Sequence, residues 1–135
     1  METSKSILIV DDEQEIRESL AKRFARRGFK VFTADGGTEG FKIAVENSVD
    51  VLLTDIRMAK VSGITLVEEV RATLGDNCPT LICMSAFSDL TVEGAFLRGV
   101  DLLMPKPLDT AALFAAIDHF YKAWAQRLRT TSSAS

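Results

Sequence analysis

The feature that most constrains the fold is a regular alternation of short apolar runs with longer amphipathic segments. Five runs of strand length lie at residues 7–10, 29–33, 51–53, 80–84 and 101–104. Each is followed by a segment of helical character, such as the first, where Ile16, Leu20 and Phe24 fall on one face. Strands that alternate with helices predict an α/β fold with a parallel sheet. We expect the flavodoxin-like, doubly wound strand order 2-1-3-4-5, with five helices.

The remaining helices and the domain limits follow from the same pattern. Helices are predicted at residues 38–47, 64–74, 90–98 and 109–129, the last of them capped by Asp109. Residues 130–135 are small and polar, which is typical of a disordered tail. A chain of 135 residues suits a single core, so we expect one domain over residues 6–129 and a tail over residues 130–135.

Charge and composition argue against several classes of function. The net charge is -3 and the pI about 5.2, so nothing favours direct binding to nucleic acid or to an anionic membrane. The apolar runs are too short to span a bilayer, and no signal peptide precedes Ile7. Cys78 and Cys83 lack the spacing of a metal site and are expected to be reduced thiols. We therefore expect a cytoplasmic protein.

Polar and charged residues stand where the predicted strands end. They are Asp11 and Asp12 after the first strand, Asp55 after the third, Ser85 after the fourth and Lys106 after the fifth. In open α/β sheets, ligands bind outside the carboxyl ends of the strands. In the expected order the first and third strands are neighbours, so three carboxylates converge and repel one another by about 4 kcal/mol per close pair at an effective dielectric near 20. Such a site needs a cation, and Mg²⁺ suits a small, partly hydrated set of oxygen ligands.

These residue types together indicate phosphoryl transfer. A cation beside a carboxylate neutralises an incoming phosphoryl group and helps to align it with Asp55 as the nucleophile. Lys106 supplies a second positive charge, and Ser85 supplies a hydroxyl donor. The product would be an acyl phosphate on Asp55 that hydrolyses later. The competing interpretation is structural: Asp11 and Asp12 only cap the first helix, and Ser85 only ends its strand.

Four segments of the chain resemble the receiver domains of response regulators in two-component phosphorelays, over residues 6–124. They are ILIVDDE (7–13), LLTDIRMAKVSG (52–63), PTLICMSA (79–86) and GVDLLMPKPL (99–108). The resemblance implies a phosphoacceptor, two Mg²⁺ ligands, a switch hydroxyl and a phosphate partner, which are respectively Asp55, Asp11 with Asp12, Ser85 and Lys106.

The resemblance also implies partners and further features of the site. The backbone carbonyl of Arg57 would be another Mg²⁺ ligand, and the peptide bond before Pro107 would be cis. The phosphoryl donor would be a histidine kinase or a phosphotransfer protein. The chain would then be a switch rather than an enzyme, apart from its own phosphorylation and dephosphorylation.

Three residues depart from the pattern of the family. Leu103 stands where an aromatic switch residue is usual, Ala59 where a proline is usual, and Pro105 directly precedes Lys106. Leu103 keeps open a degenerate receiver that acts as a phosphorylation-independent binding module. An aspartyl phosphatase of the haloacid-dehalogenase type uses similar residues, but it requires a second Asp where this chain has Arg57.

The last predicted helix carries more apolar residues than one sheet face needs. Leu113 and Ile117 suffice to cover the sheet, yet a seam with spacings of 3 and 4 runs through Phe114, Ile117, Tyr121, Trp124 and Leu128. At about 1.5 Å per residue the helix outruns a strand of four or five residues. We therefore expect its distal part to form a homodimer or to lead into an output partner.

Overall fold

The sheet of the predicted fold is present in full. The computed structural model describes residues 5–86, 94 and 98–120. Its strands are β1 (Ser6–Val10), β2 (Lys30–Ala34), β3 (Val51–Asp55), β4 (Thr80–Ser85) and β5 (Leu102–Pro105). Their order is β2-β1-β3-β4-β5, and all neighbouring pairs are parallel. The predicted doubly wound strand order is therefore confirmed.

Helices connect these strands. The structure shows α1 (Gln14–Arg26), α2 (Gly37–Glu46), α3 (Gly63–Leu74) and a C-terminal helix that is described over residues 110–120. The predicted helix at residues 90–98 lies outside the described residues except for Gly94, which is helical, and Arg98, which lies in a turn. The predicted end of the last helix and the tail at 130–135 also lie outside them. No helix in the described part of the chain is long and apolar enough to cross a membrane.

Two apolar layers hold the helices against the sheet. On one face, side chains such as Leu8 and Leu52 pack with α2 and α3. On the other, side chains such as Ile7 and Leu53 pack with α1 and the C-terminal helix. Strands β1 and β3 are buried along their whole length, which explains why they read as continuous apolar runs. Polar groups carried by these strands are therefore concentrated at the edges of the sheet.

The C-terminal helix packs on its own domain through more residues than predicted. Leu113, Phe114 and Ile117 are all buried. The ring of Phe114 lies 4.7 Å from that of Phe24, and the guanidinium of Arg27 stands 4.0 Å above it. Phe114, the first residue of the predicted seam, is therefore covered by its own domain. The rest of the seam, Tyr121, Trp124 and Leu128, lies outside the described residues, so the dimer stays a prediction.

Arg71, in the last turn of α3, fixes the chain just before β5. Its Nε and Nη2 donate to the carbonyl of Gly99 at 3.0 and 2.7 Å, and Nη2 lies 3.2 Å from both carboxylate oxygens of Asp101. Asp101 Oδ2 accepts from the amide of Leu81 at 2.7 Å, and the Asp101 amide donates to the Leu81 carbonyl at 2.8 Å. Asp101, predicted as the first residue of the fifth strand, instead precedes β5 and joins it to β4 and α3.

At the amino edge of the sheet, Asp50 is held by neutral donors. Its Oδ2 accepts from the amide of Ser6 at 2.8 Å and lies 3.1 Å from Ser6 Oγ. The same hydroxyl is 3.0 Å from the Ser48 carbonyl and accepts from the Asp50 amide at 3.0 Å. Ser6 is buried, so these bonds satisfy groups that have little access to water.

Candidate functional site

The site residues proposed from the sequence converge at the carboxyl edge of the sheet. Asp55 and Ser85 close β3 and β4, whereas Asp11 with Asp12 and Lys106 directly follow β1 and β5. Because β1, β3, β4 and β5 are successive neighbours, these side chains form one continuous polar edge. Parallel strands present their carboxyl ends on the same side, so this placement follows from the fold.

Three carboxylates form the centre of this edge. Asp11, Asp12 and Asp55 each offer an oxygen, and these oxygens lie within 4.8 Å of one another. Asp11 is 0% and Asp55 is 2% exposed, whereas Asp12 is open to solvent. Oδ2 of Asp11 is buried and has no hydrogen-bond partner among the described residues. A buried carboxylate oxygen without a partner costs folding free energy. A hard divalent cation such as Mg²⁺ suits these oxygen donors.

Each of the three carboxylates also accepts one hydrogen bond from a backbone amide. The pairs are Glu13 N with Asp11 Oδ1 at 2.9 Å, Ala59 N with Asp12 Oδ2 at 3.2 Å, and Arg57 N with Asp55 Oδ1 at 3.2 Å. The N-cap residue of α1 is Glu13, which makes no side-chain cap bond. The alternative that Asp12 only caps the first helix is therefore wrong, because its carboxylate bonds to the loop after β3.

Lys106 balances part of this negative charge. Its Nζ lies 2.8 Å from Asp55 Oδ2, and its side chain is 32% exposed. Burial disfavours the charged lysine, but the hydrogen bond and the attraction from Asp55 outweigh it and raise the pKa of Lys106. Burial raises the pKa of Asp11, opposed by the Glu13 amide and reinforced by the charge of Asp55. The charge of Asp55 thus contributes to both pKa shifts, in the direction expected beside a negative group.

Ser85 lies beside Lys106 through the backbone. The Ser85 carbonyl accepts from the Lys106 amide at 2.9 Å. The Ser85 hydroxyl donates to the carbonyl of Ala86 at 2.8 Å. The peptide bond between Lys106 and Pro107 is cis, as the resemblance implied. Ser85 is therefore bonded to Lys106 through the backbone, while its hydroxyl is engaged with its own chain.

Two residues that the sequence did not single out shape the site. A Cβ on Gly63 would overlap the carbonyl oxygen of Asp55, and the Gly63 amide donates to the Ile56 carbonyl at 2.9 Å. Gly63 therefore lets α3 begin directly against the end of β3. Arg17, on α1, donates from Nη1 to the Asp11 carbonyl at 2.8 Å. The glycine ends one of the matched segments, which was its signal; Arg17 had none beyond its place on an amphipathic helix.

The residues that depart from the family pattern lie around the same edge. Leu103 pairs with Cys83 in the sheet, is half-buried and packs against the apolar layer of α2 and α3. Pro105 is exposed and pairs with Ser85 at the end of β5. Ala59 lies in the loop after β3, where its amide reaches Asp12.

Comparison with known proteins gives a consistent family match. A family model described as the response regulator receiver domain matches residues 7–118. The chain is similar to transcriptional activator protein PfeR of Pseudomonas aeruginosa, with 33% identity over 115 residues, which are 85% of this chain and 37% of that protein. It is also similar to transcriptional regulatory protein PrrA of Mycobacterium tuberculosis, with 34% identity over 134 residues, 98% of this chain and 55% of that protein. The chain thus spans only part of the length of these relatives.

Solved structures show the same fold. A response regulator receiver domain protein from Clostridium thermocellum superposes with a TM-score of 0.79 at 30% identity, covering 85% of this chain and 92% of that one. The N-terminal domain of an uncharacterized protein from Wolinella succinogenes superposes with a TM-score of 0.81 at 30% identity, covering 92% of this chain and 99% of that one.

Proposed function

Because the chain belongs to the response regulator receiver domain family, we propose that it is a phosphoacceptor switch of a two-component phosphorelay. Such domains are signalling domains rather than conventional enzymes. Asp55 would accept a phosphoryl group, in a Mg²⁺-dependent reaction, from a histidine kinase or a phosphotransfer protein. The observation that carries the proposal is the buried Asp55 carboxylate, 2.8 Å from Lys106 Nζ and beside two further carboxylates.

The proposed step is a displacement at phosphorus. An oxygen of Asp55 forms a bond to phosphorus, while the bond from phosphorus to the donor's histidine nitrogen breaks and its electron pair stays on nitrogen. Lys106 then pairs with a phosphoryl oxygen, and the Ser85 hydroxyl leaves the Ala86 carbonyl to donate to another. Later attack by water on phosphorus restores the carboxylate and releases inorganic phosphate.

The residues proposed to hold Mg²⁺ are Asp11, Asp12, Asp55 and the backbone carbonyl of Arg57. The unpartnered Oδ2 of Asp11 and the short distances between the three carboxylates support this choice. When bound, the ion supplies positive charge for the carboxylates and for the phosphoryl oxygens. Without a cation, the same three carboxylates repel a phosphoryl donor.

Intact-mass measurement after incubation with acetyl phosphate tests the proposal. We expect a gain of one phosphoryl group with Mg²⁺, and none either in excess EDTA or in Asp55→Asn. An equal yield in EDTA would contradict the metal requirement. A full yield in Asp55→Asn would contradict the choice of phosphoacceptor.

The phosphorylation-independent binding module remains the second candidate, because Leu103 replaces the usual aromatic residue. Its half-buried aliphatic side chain already packs against the core, so inward rotation would bury little extra surface. We therefore propose a small response at Leu103 when Asp55 is phosphorylated. Crystal structures with and without a phosphate analogue test this, and a large rearrangement of β5 would contradict it.

We further propose how the domain is used. It would occupy residues 6–129, act in the cytoplasm, and contact a second copy or an output partner through the distal part of its last helix. Analytical ultracentrifugation of the wild type and of the double variant Tyr121→Glu/Trp124→Glu, with and without a phosphate analogue, tests the homodimer. A monomer under every condition rejects it.

A further inference from the structure

The three acidic side chains at the carboxyl edge share one hydrogen-bonding pattern. In each, one carboxylate oxygen is taken by a backbone amide, from Glu13 for Asp11, Ala59 for Asp12 and Arg57 for Asp55. In Asp11 and Asp12 this arrangement predisposes the other oxygen to bind a cation alone, whereas the second oxygen of Asp55 lies 2.8 Å from Lys106 Nζ. Coordination through one oxygen per carboxylate is what a small ion with near-octahedral geometry requires.

Asp12 depends on this bond more than the other two do. Asp11 and Asp55 are buried, so packing restricts their side chains, whereas Asp12 is exposed. The amide of Ala59, 3.2 Å from Asp12 Oδ2 and 47 positions along the chain, ties this exposed carboxylate to the loop after β3. The loop is anchored in turn, because the Arg57 amide bonds Asp55 and the Gly63 amide bonds the Ile56 carbonyl.

The residue at position 59 decides whether the hydrogen bond to Asp12 can form. A proline has no amide hydrogen, and the resemblance described above gives proline as the usual residue where this chain has Ala59. The bond to Asp12 is thus a property of this sequence and does not follow from the general pattern of the family.

We propose that the Ala59 amide is a specificity-determining group of the cation site: it restricts Asp12 to coordination through one oxygen and so favours Mg²⁺ over Ca²⁺. The inference rests on the proposed function only in assigning the three carboxylates to a cation. Ca²⁺ takes six to eight oxygen ligands and readily accepts both oxygens of a carboxylate, whereas Mg²⁺ demands compact octahedral geometry. Holding Oδ2 of Asp12 therefore penalises the larger ion. The hydrogen bond also orders the exposed side chain of Asp12 in advance, so that Mg²⁺ binding loses less side-chain entropy.

Calorimetric titration of the chain with MgCl₂ and with CaCl₂, without any phosphoryl donor, tests the inference. Ala59→Pro removes the donor, and Ala59→Gly keeps it as a matched control. In Ala59→Pro we expect the Kd for Mg²⁺ to rise about three- to tenfold, with the Kd for Ca²⁺ unchanged or lower. Ala59→Gly should keep the wild-type ratio of the two constants. An unchanged ratio in Ala59→Pro, or an equal change in both variants, overturns the inference.

The background variant Asp12→Ala separates the hydrogen bond from any effect of proline on the loop. In that background, adding Ala59→Pro should leave the ratio of the two constants unaltered. If the ratio shifts there as much as in the wild-type background, proline acts through the backbone and the inference fails.

A second measurement does not depend on the folding of the proline variant. The amide proton of Ala59 should show the low temperature coefficient of a hydrogen-bonded amide in the Mg²⁺-loaded wild type, and a solvent-exposed value in Asp12→Ala. An exposed value in the Mg²⁺-loaded wild type overturns the inference. A chain that shows the Ala59-dependent ion preference but gains no mass from acetyl phosphate refutes the proposed function alone.

Discussion

Strand β3 has an aspartate at each end, and the two are held in opposite ways. Asp50 precedes the strand and accepts from the amide and hydroxyl of Ser6, both neutral donors. Asp55 ends the strand beside two other carboxylates, and its charged partner is Lys106, at 2.8 Å. The two aspartates are five residues apart at the ends of one buried strand, yet only Asp55 has other charged side chains as its neighbours.

The difference shows that the partners of a carboxylate, rather than its residue type, decide its role. Neutral donors that are themselves buried make Asp50 part of the scaffold, because removing its oxygens would leave them unsatisfied. The neighbouring carboxylates of Asp11 and Asp12 instead repel that of Asp55, and a bound cation would relieve this repulsion. The hydrogen bonds at the amino edge therefore stabilise the fold. The carboxyl edge retains electrostatic repulsion that a bound cation would reduce.

The largest expected effect comes from disturbing the backbone at the carboxyl end of β3. Gly63→Ala would drive a Cβ into the Asp55 carbonyl, and we expect the free energy of unfolding to fall by about 3 kcal/mol, as for a strongly overpacked site. Gly36→Ala is the control, because an added Cβ there meets nothing within 4 Å. Urea denaturation of both variants measures the difference. Equal stabilities would mean that the end of β3 yields easily.

Removing the lysine tests whether Asp55 is short of positive charge. Lys106→Ala leaves a buried carboxylate without its charged partner, and we expect a loss of about 2 kcal/mol in cation-free buffer, reduced from the value for a fully buried pair because the lysine is partly exposed. Added Mg²⁺ should restore more stability to this variant than to the wild type, and should bind at least as tightly. Thermal unfolding with EDTA and with Mg²⁺ measures both effects. A loss that Mg²⁺ leaves untouched would contradict the electrostatic explanation.

Matched asparagine substitutions compare the two ends directly. Asp50→Asn replaces charge-assisted bonds to Ser6 with neutral ones, so we expect a loss of about 1 kcal/mol. Asp55→Asn removes repulsion from Asp11, and the partly exposed Lys106 can turn to solvent, so stability without cations should be unchanged or higher. Denaturant titrations in EDTA decide this. If both variants lose the same stability, the contrast between the two ends is wrong.

The smallest expected effect is on thiol labelling. Burial, with a further contribution from the charge of Asp55, raises the pKa of Cys83 to about 12, so its thiol stays neutral at pH 8. Cys78 is half-buried, lines a cavity with Asp50, and should react faster. Asp50→Asn should speed labelling of Cys78 by up to about fivefold through local opening, and leave Cys83 unchanged. Mass spectrometry after iodoacetamide follows each site, and equal acceleration of both thiols would indicate global unfolding instead.

The sheet and its polar edge could be predicted because the apolar runs end at Asp55, Ser85 and their counterparts, and parallel strands bring such ends together. The bonds from Ala59 to Asp12 and from Ser6 to Asp50 could not, because their donors are separated from the carboxylates by 47 and 44 positions and backbone amides have no sequence signature.

The surface that covers the C-terminal helix could not be predicted, for a related reason. Spacings of 3 and 4 identify an apolar stripe on a helix but not the surface that covers it. Phe114 fits the apolar seam by spacing, yet it is covered by Phe24 of α1 and by Arg27, which directly follows that helix. Gly63 shows the reverse case: it stood within a matched segment, but only three-dimensional proximity to Asp55 explains the absence of a side chain.

Side-chain contacts hold the chain at both ends of β5. Just before the strand, Arg71 and Leu81 bond to Gly99 and Asp101. Just after it, Lys106 bonds to Asp55. A strand of four residues spans about 13 Å. One short strand therefore separates the contact between Lys106 and Asp55 from the contacts that Arg71 of α3 makes at the opposite edge of the sheet.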